Sequence, residues 1–171
     1  MPAVEKQAAR ALSQGQLKHD PLTTTGADVV GAMAFTSKLG GLLWRCKWGK
    51  DKSALKPTAL LLARKVWRQG ESFAYIAKIA AIALDEHLDP LCTHCKGRGH
   101  VTNSYKVVSI CTHCHGTGIA RVNDQRRIRL LGCTEHDYRQ KWEDRMSQAH
   151  SVLSSCDSDT ATKMRKQLRK D

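Results

Sequence analysis

The octapeptide CTHCKGRG at 92–99 recurs as CTHCHGTG at 111–118, with 15 residues between Cys95 and Cys111. Two Cys-x-x-Cys knuckles that a hairpin folds back on each other bring four soft thiolates to one point, the ligand set that zinc takes in a tetrahedral structural site. Cys92, Cys95, Cys111 and Cys114 are therefore the expected metal ligands, with one Zn2+ as the cofactor. Such a site has no open position for water or substrate, so its expected role is structural and not catalytic. Gly97 with Gly99, and Gly116 with Gly118, admit positive φ and let backbone N–H groups turn toward the sulfurs. His94, His113 and His115 are rival ligands by position, but the thiolates already complete the shell and leave the histidines to the surface or to supporting contacts. Four thiolates around a divalent ion leave a local charge of about −2. Lys96, Arg98 and Lys106 either balance that charge or reach phosphate.

The other three cysteines, Cys46, Cys133 and Cys156, read as small, partly buried thiols. An odd total of seven cysteines, four of them in metal-type pairs, suits a reducing compartment. No stretch resembles a membrane span, because Lys78, Asp85 and Glu86 interrupt the most apolar segment, and the first residues lack the pattern of a secretory signal. A cytoplasmic protein is expected. Its 28 Lys and Arg against 16 Asp and Glu give a formal charge of +12, which points to a polyanionic partner.

Residues 1–22 are polar, with Pro2 and Pro21, and are expected to form a flexible N-terminal arm. Residues 23–90 predict a helical core of three helices. The first follows Thr25 as cap and carries Val29, Val30, Met33, Phe35, Leu39, Leu42 and Leu43 at helical spacings. Gly40 and Gly41 either weaken it or let another backbone approach. The second spans about Ser53 to Gln69, with Pro57 in its first turn and Gly70 as its stop; the third opens at Glu71 or Ser72, buries Ile76, Ile79, Ala80, Ala83 and Leu84, and ends at Asp89-Pro90. Residues 91–120 form the zinc hairpin, whose TNSYKVVSI segment is strand-like. Beyond Leu153 the sequence becomes polar and basic, which predicts a frayed helix or a loose basic tail over 155–171.

Between them, residues 121–154 read as two helices around a tight turn at Leu131, Gly132 and Cys133. Thr134 caps the second helix, Asp137 makes a partial capping box, and Tyr138 and Trp142 point inward. A helix-turn-helix of this kind would offer Glu135, His136, Arg139 and Gln140 to base edges, and Arg126, Arg127, Arg129 and Lys141 to phosphates, with Thr134 at the contact surface. An ordinary helical hairpin with a solvated basic face satisfies the same pattern. The expected fold class is thus mainly α with a small zinc-stapled β-hairpin, comprising helical core, four-cysteine module and helix-turn-helix-like pair.

Three segments in fixed order carry a resemblance: TGADVVGAM at 25–33, the two Cys-x-x-Cys-x-Gly-x-Gly knuckles, and RIRLLGCTEHDYRQKW at 127–142. Over residues 24–153 the chain resembles the lambda-type late antiterminator Q proteins of bacteriophages. That resemblance implies a non-enzymatic factor that binds double-stranded DNA beside a late promoter and loads onto paused bacterial RNA polymerase with its sigma factor. It then makes the enzyme resistant to pauses and terminators, together with a Nus-type elongation factor. It also implies that the four cysteines hold zinc and that 125–146 contacts DNA. A zinc-containing repressor would use the same parts. The cysteine-rich region of J-domain co-chaperones has similar knuckles, but four of them where this chain has two, and the His-Pro-Asp tripeptide is missing. No nucleophile triad, phosphate loop or paired-carboxylate arrangement suggests an enzyme.

Overall fold

The computed structural model describes residues 26–102, 106–120 and 123–168; the arm at 1–22, the Thr25 cap and residues 169–171 of the tail lie outside the described residues. The first apolar stretch forms two helices instead of one, α1 (Gly26–Met33) and α2 (Lys38–Lys47). Two hydroxyls account for the break. Thr36 Oγ1 donates to the Met33 carbonyl at 2.7 Å, and Ser37, in extended conformation, accepts the Gly40 N–H at 3.1 Å, which caps α2. Short hydroxyl side chains compete with the helical ladder for backbone groups, and here they win. Gly40 is closely approached, but by a side chain and not by the other backbone expected: a Cβ there would lie 2.1 Å from Thr160 Oγ1.

Asp51 caps a 3₁₀ turn (Lys52–Ala54) that leads into α3 (Leu55–Val66), with Pro57 in the first turn as expected. The helix stops before Gln69 because Trp67 turns extended, its indole N–H donating to the Glu71 carbonyl at 2.9 Å. Ser72 precedes α4 (Phe73–Leu88), which ends at Asp89-Pro90. In the hairpin, β1 (His100–Thr102) pairs antiparallel with β2 (Val108–Ile110) in the register His100 to Ile110. Leu91 and Ile119 form a further bridge where the hairpin leaves the helices. Residues 103–105 of the strand-like segment lie outside the described residues.

Asn123 caps α5 (Asp124–Leu131) by accepting the Arg126 N–H, and Gly132 ends it at φ 69°. Thr134 then opens a continuous helical run over 135–168: α6 (Glu135–Asp137), a π-helical turn (Tyr138–Trp142) and α7 (Glu143–Leu168). Tyr138 is buried, and Trp142 stacks against Tyr75 of α4 with centroids 4.4 Å apart. One core joins these helices to the earlier ones. Leu43, Leu62, Ile76 and Ile79 pack with Ile128, Leu131, Tyr138, Met146 and Leu153.

The chain beyond Leu153 differs from the expected frayed or loose tail, since α7 continues to Leu168 without interruption. Ala161 and Met164 are buried against Val29, Ala32 and Trp44, so the helix is held by tertiary packing that its polar local composition does not announce. Among the described residues no helix is long and apolar enough to cross a membrane.

Candidate metal centre and the basic helix pair

Each knuckle builds the same backbone. The N–H of Gly97 donates to the Cys92 carbonyl and that of Gly116 to Cys111, both at 3.3 Å, while Arg98 and Thr117 donate to the carbonyls of Cys95 and Cys114. The next glycine in each repeat reaches sulfur: Gly99 N–H to Cys95 Sγ at 3.3 Å, Gly118 N–H to Cys114 Sγ at 3.2 Å. The two halves are laced together reciprocally, Cys92 N–H to the Gly118 carbonyl and Cys111 N–H to the Gly99 carbonyl. Only glycine fits at the crossing. Gly99 has φ 77° and Gly118 φ 72°, and a Cβ on either would sit 2.3 Å from a carbonyl oxygen of the opposite knuckle, Gly116 or Gly97.

The result is a cluster of four buried sulfurs, all within 4.8 Å of one another, with Cys92 and Cys111 at 4.0 Å and Cys95 and Cys114 at 3.7 Å. No pair is joined as a disulfide. Four soft donors at this spacing suit one tetrahedral metal ion. Burial pushes the Cys111 thiol up to about 11. At Cys114 burial acts in the same direction, but the Gly118 N–H and the neighbouring thiols outweigh it and bring the group down to about 7. His94 and His113 lie outside the cluster, stacked on each other with centroids 4.2 Å apart, and His115 is exposed. Lys96, Arg98 and Lys106 are exposed as well, and the sequence has no Asp or Glu between Asp89 and Asp124, so no carboxylate of this segment opposes its cations.

At the turn between α5 and α6, the N–H groups of Gly132 and Cys133 both bond to the Ile128 carbonyl. Thr134 accepts the Asp137 N–H at 3.1 Å and donates its hydroxyl to the Asp137 carboxylate at 2.8 Å. Asp137 thus answers the cap through the hydroxyl and not through the backbone N–H of Thr134 that a capping box would use. The hydroxyl of Thr134 is engaged in this cap and is not a free donor for a ligand.

Of the other residues expected at a DNA surface, Arg126, Arg129, Glu135, His136, Arg139, Gln140 and Lys141 are exposed. Arg139 pairs with Glu135 at 2.6 Å and Lys141 with Asp137 at 3.0 Å, one helical turn apart in each case. Arg126 bonds Asp85 at 3.0 Å, and Arg129 Nε donates to the Gln125 carbonyl. These pairs are exposed and worth little individually, so a phosphate competes with them readily.

Arg127 departs from its expected phosphate-contacting role. Its side chain is 8% exposed and points into the protein, where it meets Glu86 of α4, Asp124 and the Tyr138 hydroxyl. His150 Nε2 lies 2.8 Å from the same Glu86 carboxylate, a contact in which the imidazole donates. A second polar cluster has the same character: Asp157 of α7 accepts from the Trp44 indole at 2.8 Å and from Lys47 at 2.5 Å. Sequence reasoning missed both. Glu86, Arg127, His150 and Asp157 look like ordinary surface charges locally, and only the helix packing brings them together. No protein-family model matches this chain, and no curated protein matches it significantly.

Proposed function

We propose that this chain is a DNA-binding, non-enzymatic transcription factor of the antiterminator kind, stapled by one structural zinc ion. One observation carries the reading: a short helix pair whose inner face, Ile128, Leu131 and Tyr138, is locked into the core while Arg126, Arg129, Arg139, Gln140 and Lys141 remain at the surface. A rigid inner face with a basic polar outer face is what docking into a major groove needs. Glu135, His136, Arg139 and Gln140 follow the Thr134 cap and would meet base edges, while Arg126, Arg129 and Lys141 would meet phosphates. The net charge of +12 supplies attraction to the polyanion.

Zinc is the metal that the donor set supports best. Zinc–sulfur bonds of about 2.3 Å imply tetrahedral sulfur–sulfur edges of roughly 3.8 Å. The Cys92–Cys111 and Cys95–Cys114 sulfur pairs, at 4.0 and 3.7 Å, lie near that value. Cys92, Cys95, Cys111 and Cys114 would hold the ion, which would fix the hairpin and leave no position for a substrate. The partners on this reading are DNA near a late promoter, bacterial RNA polymerase with its sigma factor, and a Nus-type elongation factor.

The test is transcription in vitro by purified bacterial RNA polymerase from a phage late promoter followed by a terminator, with and without the protein. Readthrough that requires the promoter-proximal DNA element is the expected result. Reduced initiation without readthrough would replace antitermination by repression.

A further inference from the structure

Helix α4 is apolar on more of its circumference than the core requires. Ile76, Ile79, Ala80, Ala83 and Leu84 are buried, yet a second stripe runs beside them at helical spacing, with Ala74 and Ala81 exposed and Ala77 half-buried at the edge of the core. A surface helix normally shows one apolar stripe; a second one calls for a second apolar neighbour. Here it forms the floor of a groove of about 490 Å³, whose other wall is Leu55, Ala59 and Leu60 of α3. Leu55 and Leu60 are each 38% exposed. Alanines on the floor allow a backbone to come close, and the leucines offer walls for side-chain anchors.

Charge around the groove selects among occupants. Three charged residues line it, Lys56, Lys78 and Asp85. Asp85 is tied to Arg126 at 3.0 Å, whereas Lys56 and Lys78 form no ion pair among the described residues. The groove therefore presents two unneutralised cations beside an apolar floor. A second copy of a chain that carries +12 is repelled from such a rim, and residues 1–22, with Lys6, Arg10 and Lys18 against Glu5 and Asp20, offer no acidic excess to it.

We infer that the groove between α3 and α4 is a docking site for an amphipathic helix of another protein, one that buries an apolar stripe between Leu60 and Ala81 and places acidic residues against Lys56 and Lys78. This surface adjoins the basic helix pair at the Asp85–Arg126 contact, but its apolar floor and its two lysines belong to α3 and α4, and its occupation requires no DNA.

Two synthetic helical peptides of roughly 15–18 residues test the inference, long enough to form a helix on binding. They share one apolar stripe at i, i+3, i+4 and i+7 and differ only in flanks of Glu or of Lys. Fluorescence anisotropy with the full chain is expected to show the Glu-flanked peptide binding at least about tenfold more tightly, a difference of about 1.4 kcal/mol. The double variant Lys56→Glu/Lys78→Glu, altered only at exposed side chains, is expected to reverse that preference. Equal affinity for both peptides, or an unaltered preference in the double variant, would overturn the proposal. Full-length protein carrying a benzophenone amino acid in place of exposed Ala81 supplies the second readout. Crosslinking to the Glu-flanked peptide supports the inference, whereas crosslinking to residues 1–25 of the same chain, or to a second copy, assigns the groove to that occupant and overturns it. Neither readout involves DNA or transcription, so failure here leaves the proposed function untouched, and failure of that function leaves this site standing.

Discussion

Arg127 and Glu86 form a fork-to-fork ion pair between α5 and α4, Nη2 to Oε2 at 2.7 Å and Nε to Oε1 at 3.0 Å. Both side chains are largely enclosed, 8% and 19% exposed. Burial by itself works against the guanidinium charge, but the Glu86 carboxylate and the Tyr138 hydroxyl hold Arg127 protonated beyond its ordinary range. The pair ties the basic helix pair to the helical core. Removing one member leaves the other charged and poorly solvated, so Arg127→Ala is expected to cost on the order of 3 kcal/mol of stability. Urea denaturation measures this. A variant as stable as the parent, with weakened DNA binding alone, would return Arg127 to the phosphate-contacting role.

Acid should find the same cluster. Burial alone would raise the Glu86 pKa, but the hydrogen bonds from His150 and Arg127 outweigh it and hold the carboxyl down at about 2. Asp157 is likewise held at about 2, burial being opposed by His87 and Lys47. A carboxylate whose folded pKa lies below its unfolded value stabilises the fold above the unfolded pKa, near 4, and that contribution is lost as pH falls toward the folded one. Stability is therefore expected to decline between about pH 4.5 and pH 2. Glu86→Gln is expected to flatten that decline while lowering stability at neutral pH. Melting temperatures across the range decide it; equal slopes in parent and variant would remove Glu86 from the acid response.

At the metal centre the crossed glycines predict an ordering of variants. Gly99→Ala places a Cβ 2.3 Å from the rigid Gly116 carbonyl at φ 77°, whereas Gly132→Ala at φ 69° meets nothing within 4 Å. The second change costs only the left-handed backbone penalty, roughly 1–2 kcal/mol. The first must separate the knuckles. Gly99→Ala, like Cys92→Ser or Cys111→Ser, is expected to release the metal to a chelator far faster than the parent, while Gly132→Ala retains it. Metal content after dialysis reads the difference, and retention by both cysteine variants would end the four-cysteine assignment.

The cysteine cluster was legible because its ligands lie within short repeats and its glycines announce the turns. Helices α3 and α4 were legible from apolar periodicity and from Asp89-Pro90. The break at Thr36 and Ser37 was not, since the apolar rhythm of Val29 to Leu43 continues across it and only the hydroxyl contacts reveal the cap. The inward turn of Arg127 was hidden for a related reason. On a helical wheel an arginine beside Ile128 reads as surface, and its partner Glu86 lies 41 residues away. The continuation of α7 past Leu153 depends on Val29 and Trp44, so no window of local sequence contains its cause.

That last packing is open to a direct check. Met164 is fully buried against residues of α1 and α2 although it stands in a polar, basic stretch. Met164→Ala is expected to destabilise the protein by about 2–4 kcal/mol, in the range of buried large-to-small changes. A loose tail would show no effect. Thermal or chemical unfolding of the variant distinguishes the two, and protease resistance of residues 155–168 should fall with it.

The exposed cations of the helix pair separate by the kind of contact they make. Arg139 follows the Thr134 cap and among the described residues pairs with Glu135 alone, an exposed i,i+4 contact that a base edge replaces at small cost. Arg129 projects from α5 and is exposed. A base contact confers about 1–3 kcal/mol of discrimination, whereas a phosphate contact adds affinity for every sequence and steepens the salt dependence. Arg139→Ala is therefore expected to narrow the gap between specific and nonspecific DNA, with the salt slope little changed beyond one lost charge. Arg129→Ala is expected to weaken binding to both DNAs in proportion and to reduce the slope of log K against log salt by about one. Titration of each variant with promoter-proximal and scrambled duplexes at several salt concentrations measures both quantities. Two variants with the affinity, preference and salt slope of the parent would mean that the α5–α6 surface is only a solvated basic face, and the DNA contact would then have to be sought elsewhere on the molecule.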